Sequence, residues 1–206
     1  MNITAIAKLL VVCLAGSILY AQEGYRNDVT VSALGSFQRS TTGNGINQSA
    51  DDSAGILFTY RYFFTDHQGL ELNYGYTRAD EQFTPSTSTS LASAQSVSTN
   101  TSEANLSYVL RFGLGHRLRP FASAGVGALV FSPVNGFTVN AVAGQRFGSP
   151  DFVYSAGADL ALSKRVSFRL GYRGHVFQAP DYGVPALATG SVSHIAQPFG
   201  GLSFRF

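Results

Sequence analysis

The strongest constraint on the fold is a regular alternation of apolar and polar side chains along short segments. Residues 166–176 show it most clearly, with apolar side chains at every second position and polar or small ones between. A β-strand turns successive side chains to opposite faces, so such a segment has one apolar and one polar face. The pattern recurs at residues 29–38, 56–64, 70–78, 104–112, 154–162 and 198–206. Residues 121–131 are also predicted as a strand, without an assigned orientation, because residues 125–128 are too small to mark a face.

The composition argues against a soluble enzyme. Only 13% of the 206 residues are charged, about half of the roughly 25% that is usual in soluble domains. The mean hydropathy of +0.08 is too low for a bundle of membrane helices. The net charge is +2 and the sequence has no basic run, so nucleic acid is not expected as a partner.

The N-terminus is predicted to be an export signal covering residues 1–21. Lys8 supplies a positive charge, residues 9–15 form an apolar core, and cleavage is expected after Ala21. An uncleaved anchor is the alternative, but the core is far shorter than the ~20 residues of a membrane helix. A lipoprotein attachment at Cys13 is disfavoured because Val12 precedes it. Residues 22–27 are assigned to a short N-terminal segment and residues 28–206 to the folded domain, which then contains no thiol.

The connections between the predicted strands alternate in length. Short ones at residues 65–69, 113–118 and 163–164 alternate with long ones at 39–52, 79–102, 132–151 and 178–191. About eight strands of ~9–11 residues, with short turns at one end and long loops at the other, are typical of barrels that cross a bilayer. In lipid every backbone polar group needs an internal partner, which only a closed sheet provides. The predicted fold is therefore an all-β, up-and-down antiparallel transmembrane barrel of about eight strands, with four long external loops. Residues 84–90 of one such loop are nearly low-complexity and are predicted to be mobile.

If the apolar face meets lipid, the polar face lines the lumen. An eight-stranded barrel has an interior just wide enough to be filled by side chains. We therefore expect opposite charges to pair inside, with Arg61 and Glu71 close together across the first short turn; a narrow polar pore is the alternative. The residues predicted for this polar network are Arg61, Glu71, Glu103, Arg111, Asp159, Arg169, Arg173, His175 and Arg205. Aromatic residues near strand ends are interpreted as interfacial girdles: Tyr62, Phe63, Phe64, Phe112, Phe121, Phe204 and Phe206.

Several segments resemble a known family. Residues 120–127, 156–160 and 163–173 resemble strands of small OmpA/OmpX-like outer-membrane barrel domains, and the resemblance is good over residues 119–206. It implies a location in the bacterial outer membrane. The ending 201–206 resembles the C-terminal recognition signal of that class, which implies that the barrel-assembly machinery reads Leu202, Phe204 and Phe206. No second, peptidoglycan-binding domain is expected.

Motifs for chemistry are weak. Residues 113–118 begin like a dinucleotide fingerprint but lack its third glycine and a following helix. Ser193, His194 and His175 suggest an outer-membrane acyl-chain hydrolase, but no acidic residue has a predicted place beside them. We therefore expect no catalytic residue, cofactor or metal. The leading hypothesis is a non-enzymatic barrel with a structural or surface-interaction role, in contact with outer-membrane lipids and with its long loops as the candidate site for an extracellular ligand. A small pore and a lipid-modifying enzyme are the alternatives.

Overall fold

The computed structural model describes residues 26–86, 93–113 and 117–206. The predicted signal peptide and residues 22–25 after it lie outside the described residues. So do residues 87–90 of the segment predicted to be mobile. Among the described residues, no helix has the length and hydropathy that a membrane span requires.

Eight long strands and four short ones make up the described fold. In chain order they are β1 (Asn27–Gln38), β2 (Thr41–Gly43), β3 (Ile46–Ala50), β4 (Ser53–Phe63), β5 (Gln68–Pro85), β6 (Gln95–Arg111), β7 (Leu118–Pro133), β8 (Thr138–Val139), β9 (Val142–Ala143), β10 (Phe147–Ala161), β11 (Val166–Gln178) and β12 (Val192–Arg205). A single 3₁₀ turn, Pro185–Leu187, lies between β11 and β12.

The eight long strands close into an antiparallel barrel, as the sequence predicted. Each pairs with its neighbour in the order β1, β4, β5, β6, β7, β10, β11 and β12, and β12 pairs back onto β1. The register can be followed from Gln38 on β1 to its partner Ile195 on β12, and then from partner to partner around the barrel. The path returns to β1 at Asp28, ten residues before Gln38. This stagger tilts the strands, as barrel closure requires.

The two faces of the wall follow the alternation. On β11, Leu170 is 54% exposed on the outside while its neighbour Arg169 is 1% exposed on the inside. The orientation of β7, left open by its small residues, is also defined. Phe121 and Leu129 point inward and are buried, whereas Val126 is exposed on the outer face.

The strands extend further than their apolar pattern predicted. Residues 79–102, predicted as a loop, mostly continue β5 and β6, which pair as far as Phe83 and Gln95. Residues 39–52, another predicted loop, contain the hairpin of β2 and β3, and β3 pairs with β5. The prediction of irregular loops here was wrong because backbone pairing continues where the outward side chains, such as Asp80 and Gln82, have become polar.

Candidate functional site in the barrel lumen

The lumen near the short turns is occupied by buried ion pairs centred on Arg169. Its Nε lies 2.6 Å from Asp159 Oδ1 and its Nη2 lies 3.1 Å from Asp28 Oδ1. Its Nη1 donates to the hydroxyl of Thr30 at 2.7 Å. The donors of a guanidinium lie in one plane and match the geometry of carboxylates. One arginine can therefore join two carboxylates that lie on different strands, here β1 and β10.

A second arginine, Arg61, completes this layer. It pairs with Glu71, directly opposite on β5, as the sequence predicted. Its Nη1 also lies 3.8 Å from Asp159 Oδ2. The guanidinium covers the ring of Phe121 at 4.0 Å from the centroid, a cation–π contact. The interaction ties strands β4, β5, β7 and β10 together through one side chain.

The middle of the lumen contains a second set of ion pairs. Arg173 Nη1 lies 2.7 Å from Glu103 Oε1. The imidazole of His175 lies between two carboxylates, with Nδ1 2.7 Å from Asp151 Oδ2 and Nε2 3.1 Å from Glu103 Oε2. Gln197 also donates to Glu103, at 3.3 Å. Charged groups from β6, β10 and β11 therefore meet inside the barrel, together with the neutral amide of Gln197 from β12.

Two aromatic residues interpreted as membrane girdles lie inside instead. Phe63 and Phe121 are 3% and 2% exposed. Arg111 stacks on Phe63 with its guanidinium carbon 3.5 Å from the ring centroid and lies 3.2 Å from Asp28. The girdle interpretation was wrong for these two residues because each occupies an inward position in the alternation of its strand, Phe63 on β4 and Phe121 on β7. Arg205 closes this end, with Nη2 3.8 Å from Asp159 Oδ2.

All nine residues predicted for the polar network point into the lumen, but the list missed several partners. Asp28 was missed because the alternation was read only from Val29, one residue too late. Asp151 and Glu81 were assigned to loops. Among the described residues, each buried carboxylate contacts an arginine, histidine or amide side chain. The six carboxylates are Asp28, Glu71, Glu81, Glu103, Asp151 and Asp159.

Toward the long connections, the lumen is filled by an apolar cluster that we call the apolar plug. It combines inward side chains of the strands that form or extend the wall with Val139 of β8 and with side chains of residues 179–191. Tyr182 is buried, packs edge-on against Phe83 and Phe137, and shares a 2.8 Å hydrogen bond with the Thr99 hydroxyl. The plug consists of Ile46, Phe83, Val97, Leu129, Phe131, Val139, Phe177, Tyr182, Val184, Ala186, Leu187 and Ile195.

This plug corrects the prediction that residues 178–191 are an external polar loop. Tyr182, Val184 and Leu187 are each 0% exposed. A backbone hydrogen bond from Ala179 to Ser191 joins the two ends of the segment, and another from Gln145 to Tyr182 ties it to the connection between β9 and β10. Its apolar side chains fold into the barrel mouth because burying them there removes them from water.

One carboxylate, Glu81, lies at the edge of the plug. Gln48 Nε2 donates to Glu81 Oε2 at 2.8 Å. The outward neighbours of Glu81, Asp80 and Gln82, are exposed and polar, so this part of β5 lies beyond the lipid-facing band. Burial raises the pKa of Glu81 to about 7, against the opposing effect of hydrogen bonds from Gln48 and Tyr182.

The structure gives no support to a hydrolase site. His175 points inward, whereas His194 points outward and shares a 2.9 Å hydrogen bond with the Tyr154 hydroxyl. Ser193 donates to the backbone oxygen of Arg39 at 3.4 Å, and not to a histidine. Within the described ranges, no group of three or more His, Cys, Asp or Glu residues is arranged to hold a metal ion.

The C-terminal residues form an apolar strip on the outside of the turn end. Leu202 and Phe204 are exposed, and the rings of Phe204 and Phe206 stack with centroids 6.2 Å apart. Phe206 and Asn27 exchange backbone hydrogen bonds, which join the last strand to the first.

Comparison with known proteins agrees with this architecture and with the resemblance seen in the sequence. The fold is similar to the neisserial surface protein A (NspA), with a TM-score of 0.62, 14% identity, and coverage of 89% of this chain and 100% of that one. It is similar to OprG of Pseudomonas aeruginosa, with a TM-score of 0.61, 12% identity, and coverage of 90% and 97%. None of the curated proteins matches the chain in sequence. The model of the outer membrane protein beta-barrel domain matches residues 9–192, so the chain belongs to that family and is a protein of the bacterial outer membrane.

Proposed function

We propose that the protein is a non-enzymatic, non-conducting outer-membrane barrel with a structural or surface-interaction role at its loop end. The observation that carries this proposal is the double filling of the lumen. Ion pairs centred on Arg169 and Arg173 span the barrel, and the apolar plug lies above them.

A permeating ion would meet two different obstacles. In the ion-paired part, each buried carboxylate already has an arginine, histidine or amide partner, so a permeating cation finds no unpartnered carboxylate to replace its hydration shell. In the plug, Phe83, Phe131 and Leu187 are at most 1% exposed, and such packing excludes water. The small-pore alternative requires the ion-paired part of the lumen and the apolar plug to open together.

Conductance of the refolded mature barrel in a planar bilayer tests the proposal. We expect a flat current trace at ±100 mV for the wild type, with steady single-channel steps as the result that overturns it. A Leu187→Asp variant, which places a charge in the plug, is the informative companion. It should also give no steady steps, because the ion pairs below the plug still fill the barrel.

The contacts of this barrel follow from its surfaces. The outward apolar band contacts outer-membrane lipids, the strip of Leu202, Phe204 and Phe206 engages the barrel-assembly machinery, and the loop end is available to an extracellular ligand. Replacing Phe206 with Ala leaves the lumen intact, so the purified variant should refold normally in detergent. In cells it should yield less barrel that shows heat-modifiable migration on gels. Equal amounts of assembled wild type and variant would remove the assembly role.

The choice between a structural and a surface-interaction role needs a cellular test. Cells that lack the protein should become detergent-sensitive if its role is structural. Complementation with a barrel whose exposed loop-end residues Asp80 and Gln82 are both changed to Ser should restore resistance in that case. If the role depends on surface contacts, resistance should be unaffected by the deletion, and attachment to the host or to neighbouring cells should fall.

A further inference from the structure

The outer face carries a polar cluster at the loop-end edge of the lipid-facing band. On β1 the outward residues are apolar or glycine from Val29 to Phe37, and Arg39 is the first charged residue beyond them. On β12, read from its end, His194 is likewise the first ionisable outward residue after Phe204. A tilted strand needs about 9–11 residues to cross the apolar part of a bilayer. Both side chains therefore lie at the depth of lipid headgroups.

Arg39 and His194 are cross-strand neighbours on that face. The Arg39 amide donates to the His194 carbonyl at 2.9 Å. Two residues below, Phe37 pairs with Ala196, and Phe37 is exposed to the outside. Arg39 is exposed and, within the described residues, forms no ion pair. A cation and an imidazole thus stand side by side without a carboxylate between them.

A tyrosine is positioned to complete the cluster. The Tyr154 hydroxyl lies 2.9 Å from His194 Nε2, and the Tyr172 ring lies beside Tyr154 with centroids 6.4 Å apart. Tyr154 reaches His194 by crossing β11 above Gly174, where a Cβ atom would lie 2.3 Å from the tyrosine ring. Only glycine at this position leaves room for the crossing.

The imidazole–phenol pair retains a donor in either tautomer. If Tyr154 donates to Nε2, the N–H of Nδ1 remains; if Nε2 carries the proton and donates, the phenol O–H remains. The cluster therefore offers the Arg39 guanidinium and one further donor to a group in the headgroup region. Phosphate oxygens accept such charge-assisted hydrogen bonds and favour arginine.

We propose that Arg39, His194 and Tyr154 form a binding site for the phosphate of an anionic lipid in the leaflet around the loop end. The lipid chains lie along the outer apolar wall below, on Val176, Tyr172 and Leu170, which are exposed. The site lies outside the lumen and is independent of whether the barrel conducts.

Native mass spectrometry of the refolded mature barrel tests this site. The protein is released from nanodiscs that contain equal amounts of phosphatidylcholine and phosphatidic acid, and retained lipids are counted. The wild type should retain phosphatidic acid preferentially, and Arg39→Gln should lower that retention at least about tenfold, since a charge-assisted contact is lost. Tyr154→Phe keeps the ring and should give a smaller loss.

Arg78→Gln is the matched control. Arg78 is also the first charged outward residue beyond the apolar band, on β5, but it shares its face with Asp80, two residues further. Its variant should retain phosphatidic acid as the wild type does. The site is overturned if the wild type retains both lipids equally, or if Arg78→Gln loses as much as Arg39→Gln. Displacement of the lipid by excess inorganic phosphate would overturn the assignment to a lipid.

Discussion

The ion-paired part of the lumen and the apolar plug fill the same barrel in opposite ways. On β5, Leu72 faces outward and Asn73 inward near the turns, whereas Gln82 faces outward and Phe83 inward near the loops. The polarity of the two faces therefore inverts along one strand. In the membrane band, lipid selects apolar outer residues; beyond it water covers the outside, and the lumen takes the apolar residues, as in a soluble barrel.

The inversion explains which parts of the fold were predictable. Where the outside is apolar, as at Leu170 beside Arg169, the alternation predicted both the strand and its facing. The rule that apolar means outward fails for Phe131 and Ile195 beyond the band, and it also fails for Phe63 and Phe121 near the turns; all four are buried inside. In residues 179–191, Tyr182, Val184 and Ala186 alternate with Gly183 and Pro185 over only five residues, and this spacing alone did not predict that they enter the barrel.

The largest expected effect comes from removing the central cation of the ion-paired part. Arg169→Met leaves Asp28 and Asp159 without their shared guanidinium. Breaking a buried pair in this way should lower the free energy of unfolding by about 3–5 kcal/mol. Urea unfolding of the barrel in lipid vesicles, followed on gels, measures it.

Lys164→Met in an exposed turn is the control and should stay within about 0.5 kcal/mol of the wild type. An Arg169→Met barrel as stable as this control would mean that the ion pairs contribute little.

A smaller and local effect is expected in the plug. Leu187→Ala removes a fully buried side chain, a change that costs roughly 2–5 kcal/mol in a protein core. Residues 179–191 fill the barrel mouth but are not part of its strand wall. The lost stability should therefore appear as easier opening of that segment, and unfolding of the barrel itself should be unchanged. Limited proteolysis should cut the segment faster, while the urea midpoint remains that of the wild type. A lowered midpoint would show that the plug and the wall unfold as one unit.

The smallest effect concerns the pH dependence of the plug. The pKa of Glu81 is raised from 4.5 to about 7 in the closed plug, so the closed form binds a proton that the open form releases. Closing is therefore most favourable below pH 4.5, weakens as the pH rises to about 7, and is constant above. The proteolysis rate of residues 179–191, corrected for protease activity, should rise across that range. Glu81→Gln should abolish the rise, and an unchanged rise in this variant would assign the proton to another group.

Methyl NMR of the barrel in nanodiscs, with two paramagnetic agents, tests the filled barrel most directly. A lipid-soluble agent should broaden the outward methyl groups of Leu72, Leu170 and Leu202. The inward methyl groups of Leu57, Val109, Leu129 and Leu187, all at most 1% exposed, should be protected from that agent and from a water-soluble chelate. Broadening of these inward groups by the chelate would show an open aqueous lumen and contradict the account.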